Sequence, residues 1–113
     1  MRVQRKEDRA LVDLVGRLIY DNIVPTQEGL DELVASGLSE VILNMDELSF
    51  LDSSALGMLL RFNSAAKSAG TKITMLSPND QIRAVFSCTR LDQIFTIVSD
   101  DEAASITSQF ASS

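Results

Sequence analysis

The six residues Glu40-Val-Ile-Leu-Asn-Met45 constrain this chain most. A short apolar run without helical spacing reads as a strand covered on both faces, the environment of a parallel sheet. Its flanks agree. Upstream, Thr26 can cap a helix through about Ser36, with Leu30, Leu33 and Val34 on one face and Gly37 just past its end. Downstream, after Phe50-Leu51-Asp52, a helix starting at Ser53 or Ser54 runs to Ala69 and closes on Gly70. Ala55, Leu59, Phe62, Ala66 and Ala69 keep helical spacing there and are expected to face inward. Thr71–Leu76 is another β-type run. Strand–helix–strand units of this kind bring parallel strands together through right-handed crossovers.

The remaining segments complete one α/β unit. Arg2–Lys6 and Ala10–Ile19 read as two strands split by the polar Glu7-Asp8, an initial hairpin. Ser77-Pro-Asn-Asp80 reads as a helix start, with a cap serine, proline at the first position and an acid at the third. That helix turns Ile82, Val85 and Phe86 inward and ends near Thr89, and Phe95–Val98 follows as a last strand. Ser99-Asp-Asp-Glu102 is a capping box opening a final helix to about Phe110. The expectation is a single domain over residues 1–113: a four- to five-stranded mixed sheet with an N-terminal hairpin edge and about four helices. A chain of 113 residues suits one such domain.

Composition narrows the function. Ten Lys and Arg against sixteen Asp and Glu leave a net charge of −6, which argues against a nucleic-acid partner, since that needs a basic face. With no histidine, neither a Ser-His-Asp nor a Cys-His nucleophile can be built, and a zinc site would have one cysteine plus carboxylates. No catalytic site and no metal site are therefore expected. The five glycines, at 16, 29, 37, 57 and 70, match no phosphate-cradling loop, so no nucleotide cofactor is expected. Cys88 stands alone, which excludes an internal disulfide, suits a reducing cytoplasm and reads as a small buried apolar residue. The best early apolar run, Ala10 to Tyr20, is broken by Asp13 and Arg17, so neither a signal peptide nor a membrane insertion is expected.

Two carboxylate pairs have ordinary explanations. Asp100-Asp101 suits the first turn of a helix, where the dipole favours acids. Asp46-Glu47 reads as a solvated turn, with a metal or partner contact as the alternative. A phosphorylation-receiver domain would need an acidic pair after the first strand and a lysine ending a late one. Here Lys72 starts a strand, and no acidic pair follows an early strand.

Asp52-Ser53-Ser54 stands where a strand exits and the long helix enters. Either serine can cap that helix, which is the plain reading. A phosphoryl group on either would meet the orphan N–H groups of the first turn, opposed by like-charge repulsion from Asp52. Leu56 and Leu60, with Met58 between, lie off the core stripe, and Gly57 permits close approach of either the neighbouring sheet or another protein.

With these residues the chain resembles the STAS domain (sulphate transporter and anti-sigma-factor antagonist), in particular the stand-alone bacterial anti-sigma-factor antagonists. The resemblance rests on Val41-Ile-Leu-Asn-Met45, Leu48-Ser-Phe-Leu-Asp-Ser-Ser-Ala-Leu-Gly-Met-Leu-Leu60, Gly70-Thr-Lys-Ile-Thr-Met-Leu76 and Thr89-Arg-Leu-Asp-Gln-Ile-Phe95. It implies the STAS fold and a partner switch rather than an enzyme. The antagonist binds an anti-sigma factor that is also a serine kinase and so frees a sigma factor for transcription. The kinase phosphorylates the serine after the aspartate, here Ser53 with Ser54 as second candidate, and a serine phosphatase resets the cycle. The implied partner contacts are Asp21, Asp52, Ser53, Ser54, Ala55, Leu56, Gly57 and Leu60. The alternative is a STAS subunit of a lipid-transport ATPase or of a stress-signalling complex. Three positions depart from the family pattern. An aspartate usual near the end of the second strand is Ile19, with Asp21 the nearest acid; the usual central-strand aspartate is Asn44; and the glycine after the serine pair is Ala55.

Overall fold

The computed structural model describes residues 1–111. Its elements are β1 (Arg2–Lys6), β2 (Arg9–Asp13), β3 (Gly16–Leu18), α1 (Ile23–Ala35), β4 (Glu40–Asn44), β5 (Leu48–Leu51), α2 (Ser53–Ser68), β6 (Lys72–Leu76), α3 (Asp80–Cys88) and α4 (Asp100–Ala111). Short 3-10 turns occupy Tyr20–Asn22 and Leu91–Gln93. The main sheet has the order β1-β2-β4-β6, with an antiparallel β1/β2 hairpin at its edge and parallel β2/β4 and β4/β6 pairs. The expected mixed sheet, hairpin edge and four helices are all present.

The pleat assigns the core. Alternate residues Ala10, Val12, Val41, Leu43, Ile73 and Met75 face α1, α2 and α3, while Leu11, Ile42 and Leu76 meet Ala103 and Phe110 of α4 on the other face. β4 sits between two parallel neighbours and under both helical layers, so Val41, Ile42 and Leu43 are wholly buried. This is why it reads as a continuous apolar run rather than an alternating one. The buried hydroxyls are satisfied: Thr71 Oγ1 donates to Leu38 O at 2.8 Å and Thr74 Oγ1 to Glu40 Oε2 at 2.6 Å.

Several boundaries differ from expectation. The run from Ala10 to Ile19 is not one strand. Gly16 adopts φ +78, which turns the chain, and β3 leaves the main sheet to pair in parallel with β5 as a separate two-stranded sheet. β5, the strand that Asp52 exits, has Leu48 and Leu51 in and Ser49 and Phe50 out, which is no strand period, so its bounds do not follow from local pattern. Helix α1 starts at Ile23, three residues before Thr26, with Pro25 tolerated in a first turn that needs no N–H from it. Asn79, not Ser77, caps α3: its Oδ1 accepts from Ile82 N at 2.8 Å, while Ser77 has a left-handed φ of 54. Phe95–Val98 makes only an isolated bridge, Met75 with Ile97, although Phe95 is buried edge-to-face on Phe86. Ala69 is exposed, because it follows the last residue of α2 and so leaves the inward stripe. Ser99 does cap α4, accepting from Glu102 N at 3.2 Å.

Leu43→Ala, at the wholly buried centre of β4, is expected to lower unfolding stability by about 2–5 kcal/mol. Urea denaturation measures this directly; a loss under about 1 kcal/mol would mean β4 is not the centre of the core.

Candidate functional site

The two-stranded sheet exists to aim one residue. β5 runs beside β3, and as it ends Asp52 N donates to Leu18 O at 3.2 Å. Asp52 then becomes the cap of α2, its Oδ1 accepting from Ala55 N at 2.9 Å. Its second oxygen reaches across the fold: Oδ2 accepts from Tyr20 N at 3.0 Å. Tyr20 is held in place by Asn22, whose Oδ1 accepts from Ile19 N at 2.9 Å while its Nδ2 donates to Arg17 O at 2.7 Å. One carboxylate thus joins the start of α2 to the loop between β3 and α1.

These bonds act on the charged form of Asp52. The Ala55 N–H foremost, then the Tyr20 N–H, hold its carboxyl below the ordinary 3.8, overriding a smaller opposite push from desolvation. Asp52 is therefore ionised throughout the neutral range.

The cap assignment corrects the sequence reading, in which Ser53 or Ser54 filled that role. With Asp52 as the cap, both serines are inside the first turn, Ser53 exposed and Ser54 half-buried. Their hydroxyls are not needed to terminate the helix. Ala55 is also corrected as a partner contact. It is wholly buried, and its contribution here is the N–H it donates to Asp52. Leu56 and Leu60 are half-buried and pack against the main core. Gly57 is half-buried, and Arg61 Nη1 lies 3.4 Å from where its Cβ would stand. Asp21 is exposed in the same 3-10 turn as Tyr20, so the loop that binds Asp52 carries it to this end of α2.

Three large apolar side chains that the sequence did not single out lie exposed on β5, on the loop that binds Asp52 and in the first turn of α1. Tyr20 is 74% exposed, and Val24 and Phe50 are exposed as well. The Arg17 guanidinium lies over the Phe50 ring at 5.3 Å from its centroid. Large apolar side chains left outside the core in this way are the kind of residue from which contact surfaces are built. The signal was present in Phe50, two residues before Asp52 and neither a core-stripe nor a turn residue. It could not be read without knowing which residues of β5 face outward.

Elsewhere the expected sites are ordinary. Glu47 of the acidic turn pairs with Arg2, and among the described residues no group of three metal-ligating side chains comes together. Cys88 is exposed at the end of α3, contrary to the expected burial, because Ile82 and Phe86 take the inward positions of that helix. Among the described residues no helix is long and apolar enough to cross a membrane.

The family model described as the STAS domain matches residues 1–104. The chain belongs to the STAS domain family. A Thermotoga neapolitana protein carrying the provisional name of anti-sigma factor antagonist is 30% identical over 67 residues, a match spanning 59% of this chain and 59% of that relative's length. The crystal structure of a Thermotoga maritima protein with a similarly provisional name superposes with a TM-score of 0.82 at 22% identity, covering 92% of this chain and 91% of that one. The phosphorylated form of the Bacillus cell-fate determinant SpoIIAA superposes with a TM-score of 0.72 at 20% identity, covering 94% and 97%. These two structures share the STAS fold with this chain.

Asp52→Asn is expected to destabilise the fold at neutral pH, because an amide has one acceptor oxygen where the carboxylate has two, so its Nδ2 would face the N–H of Ala55 or of Tyr20 with no bond to offer. A carboxyl whose pKa is lowered by folding contributes stability that is present above its unfolded value and lost as pH falls through the folded one. The gap between wild type and Asp52→Asn in urea midpoints should therefore be widest above pH 3.8 and close in stronger acid. A gap that stays constant with pH would show that the charge of Asp52 contributes nothing.

Proposed function

We propose that this STAS domain is an anti-sigma-factor antagonist, a binding protein and not an enzyme, whose hold on an anti-sigma serine kinase is released by phosphorylation of Ser53. The observation that carries the reading is the exposed Ser53 in the first turn of α2, free of capping duty and directly after Asp52, whose second oxygen holds the loop that carries the exposed Tyr20. The similarity to proteins named as anti-sigma factor antagonists supports it.

In this reading the unmodified face docks on the kinase through its exposed apolar side chains, which frees a sigma factor in the cytoplasm. The kinase then transfers the terminal phosphoryl group of ATP to Ser53 Oγ; the new O–P bond replaces the hydroxyl proton, and ADP leaves. The product carries about −1.5 to −2 extra charge beside an Asp52 that is already ionised. Against a net charge of −6 this adds local repulsion, and burying the dianion in an apolar contact costs further desolvation. A serine phosphatase restores the hydroxyl by hydrolysis. Asp21, Asp52, Ser53, Ser54, Leu56, Gly57 and Leu60 form or border the contact, with Tyr20, Val24 and Phe50 added and Ala55 supporting from beneath.

Affinity capture from native cytoplasm with wild-type and Ser53→Asp baits tests the switch. The wild type is expected to retain a serine kinase at least tenfold better than Ser53→Asp, and ATP should place phosphate on Ser53 of the wild type, read by peptide mass spectrometry. Equal phosphorylation of a Ser53→Ala protein would move the site to Ser54 or elsewhere. Equal retention of one ATPase or scaffold by both baits would make this a constitutive subunit of another assembly.

Tyr20→Ala is expected to weaken kinase binding by more than tenfold while leaving the urea midpoint nearly unchanged, since the ring is exposed and the backbone N–H to Asp52 remains. Unchanged affinity in calorimetric titration would place the contact surface away from this loop.

A further inference from the structure

Ser53, Gly57 and Arg61 follow one another at four-residue intervals on α2 and share one face of the helix. A Cβ added at Gly57 would stand 3.4 Å from Arg61 Nη1, so the guanidinium lies back along the helix above the bare glycine. The close approach that Gly57 permits is thus made by the chain's own arginine. Cβ atoms four residues apart on a helix are about 6 Å from one another. A guanidinium above position 57 is therefore one such step from Ser53, on the side of the helix that Ser53 occupies.

The unmodified chain offers this arginine little. Arg61 is exposed and belongs to none of the ion pairs among the described residues, which join Arg2 to Asp13 and Glu47, Arg9 to Glu40, and Arg83 to Asp100. Its neighbours three and four residues away on the helix, Gly57, Met58, Ser64 and Ala65, carry no carboxylate. It also leans toward the helix N-terminus, the end at which the dipole disfavours a cation.

We propose that Arg61 is the internal counter-charge for a phosphoryl group on Ser53, and that Gly57 is the open track along which it reaches. The proposal rests on Ser53 being the modified residue. A phosphoryl group projects further from the backbone than the hydroxyl and presents oxygens to the planar guanidinium fork, which suits them geometrically. Pairing offsets the repulsion from Asp52 within the molecule, so the fold tolerates the dianion. It also withdraws Arg61 from any partner, so modification removes a cation from the contact face in the same step that adds an anion.

Phosphoserine installed at position 53 by semisynthesis, with no kinase involved, tests this in the full chain. The readouts are the change in Tm on phosphorylation and the Arg61 Nε–H resonance. The loss of Tm on phosphorylation should be about 2–4 °C larger in Arg61→Gln than in wild type, the size expected of a surface pair in a domain of this length. Gly57→Gln, which keeps the arginine and fills the track, should behave like Arg61→Gln, and the Arg61 resonance should shift in the phosphorylated wild type alone. Equal Tm losses in all three proteins with an unmoved Arg61 resonance would overturn the pairing and leave Ser53 as kinase target untouched. Failure of any kinase to modify Ser53 would instead remove the switch while leaving these measurements in force.

Discussion

The carboxylate of Asp52 is the interaction on which the start of α2 and the loop before α1 both depend. Each of its oxygens takes one backbone N–H, from Ala55 in its own helix and from Tyr20 in a distant loop. A neutral cap would satisfy the helix, but only a group with two strong acceptors also fixes the loop. Through that second bond the aromatic ring of Tyr20, the acid of Asp21 and the hydroxyl of Ser53 are held at one end of α2. The site is an assembly of surface residues organised by a single partly shielded charge.

That organisation explains why the acid precedes the serine rather than follows it. At the cap position Asp52 is spent on backbone donors, which keeps it ionised and leaves Ser53 without a structural duty. A hydroxyl engaged in capping would have to be released before modification, at a cost in helix stability. In the proposed switch the structural and regulatory roles fall on neighbouring residues. The repulsion between Asp52 and a phosphoryl group on Ser53 would then be the signal, because the carboxylate stays ionised at neutral pH.

Much of the scaffold was legible in the sequence because it rests on local rules. The continuous apolar run of β4, the spacing of Leu59, Phe62 and Ala66, and the capping box at Ser99 each follow from burial pattern or cap chemistry within a few residues. The misreadings have a common cause. Gly16 lies inside a long apolar run, so β2 and β3 read as one strand; the bounds and pairing of β5 have no local signal, because four residues with two of them outward give no period. Asp52, Ser53 and Ser54 are all favoured caps, and their order along the chain does not say which of them takes the role. Ala55 belongs both to the inward stripe and to the contact set that the resemblance implies, and helical geometry keeps it in the core.

The amino-acid sequence by itself determined the α/β class, the order of the main strands and helices, the exclusion of histidine-based catalysis and the position of the Asp52-Ser53 pair. These depend on residue type, net charge and periodicity, which act at short range. Only the tertiary structure decided that Asp52 is the cap, that Tyr20 and Phe50 stand exposed, and that Arg61 covers Gly57. Those facts depend on a hydrogen bond spanning 32 residues, on the pairing of two short strands far apart in the chain, and on the direction in which a long side chain lies. Long-range pairing and side-chain direction are set by what surrounds each group once the chain has folded, and no local pattern encodes them.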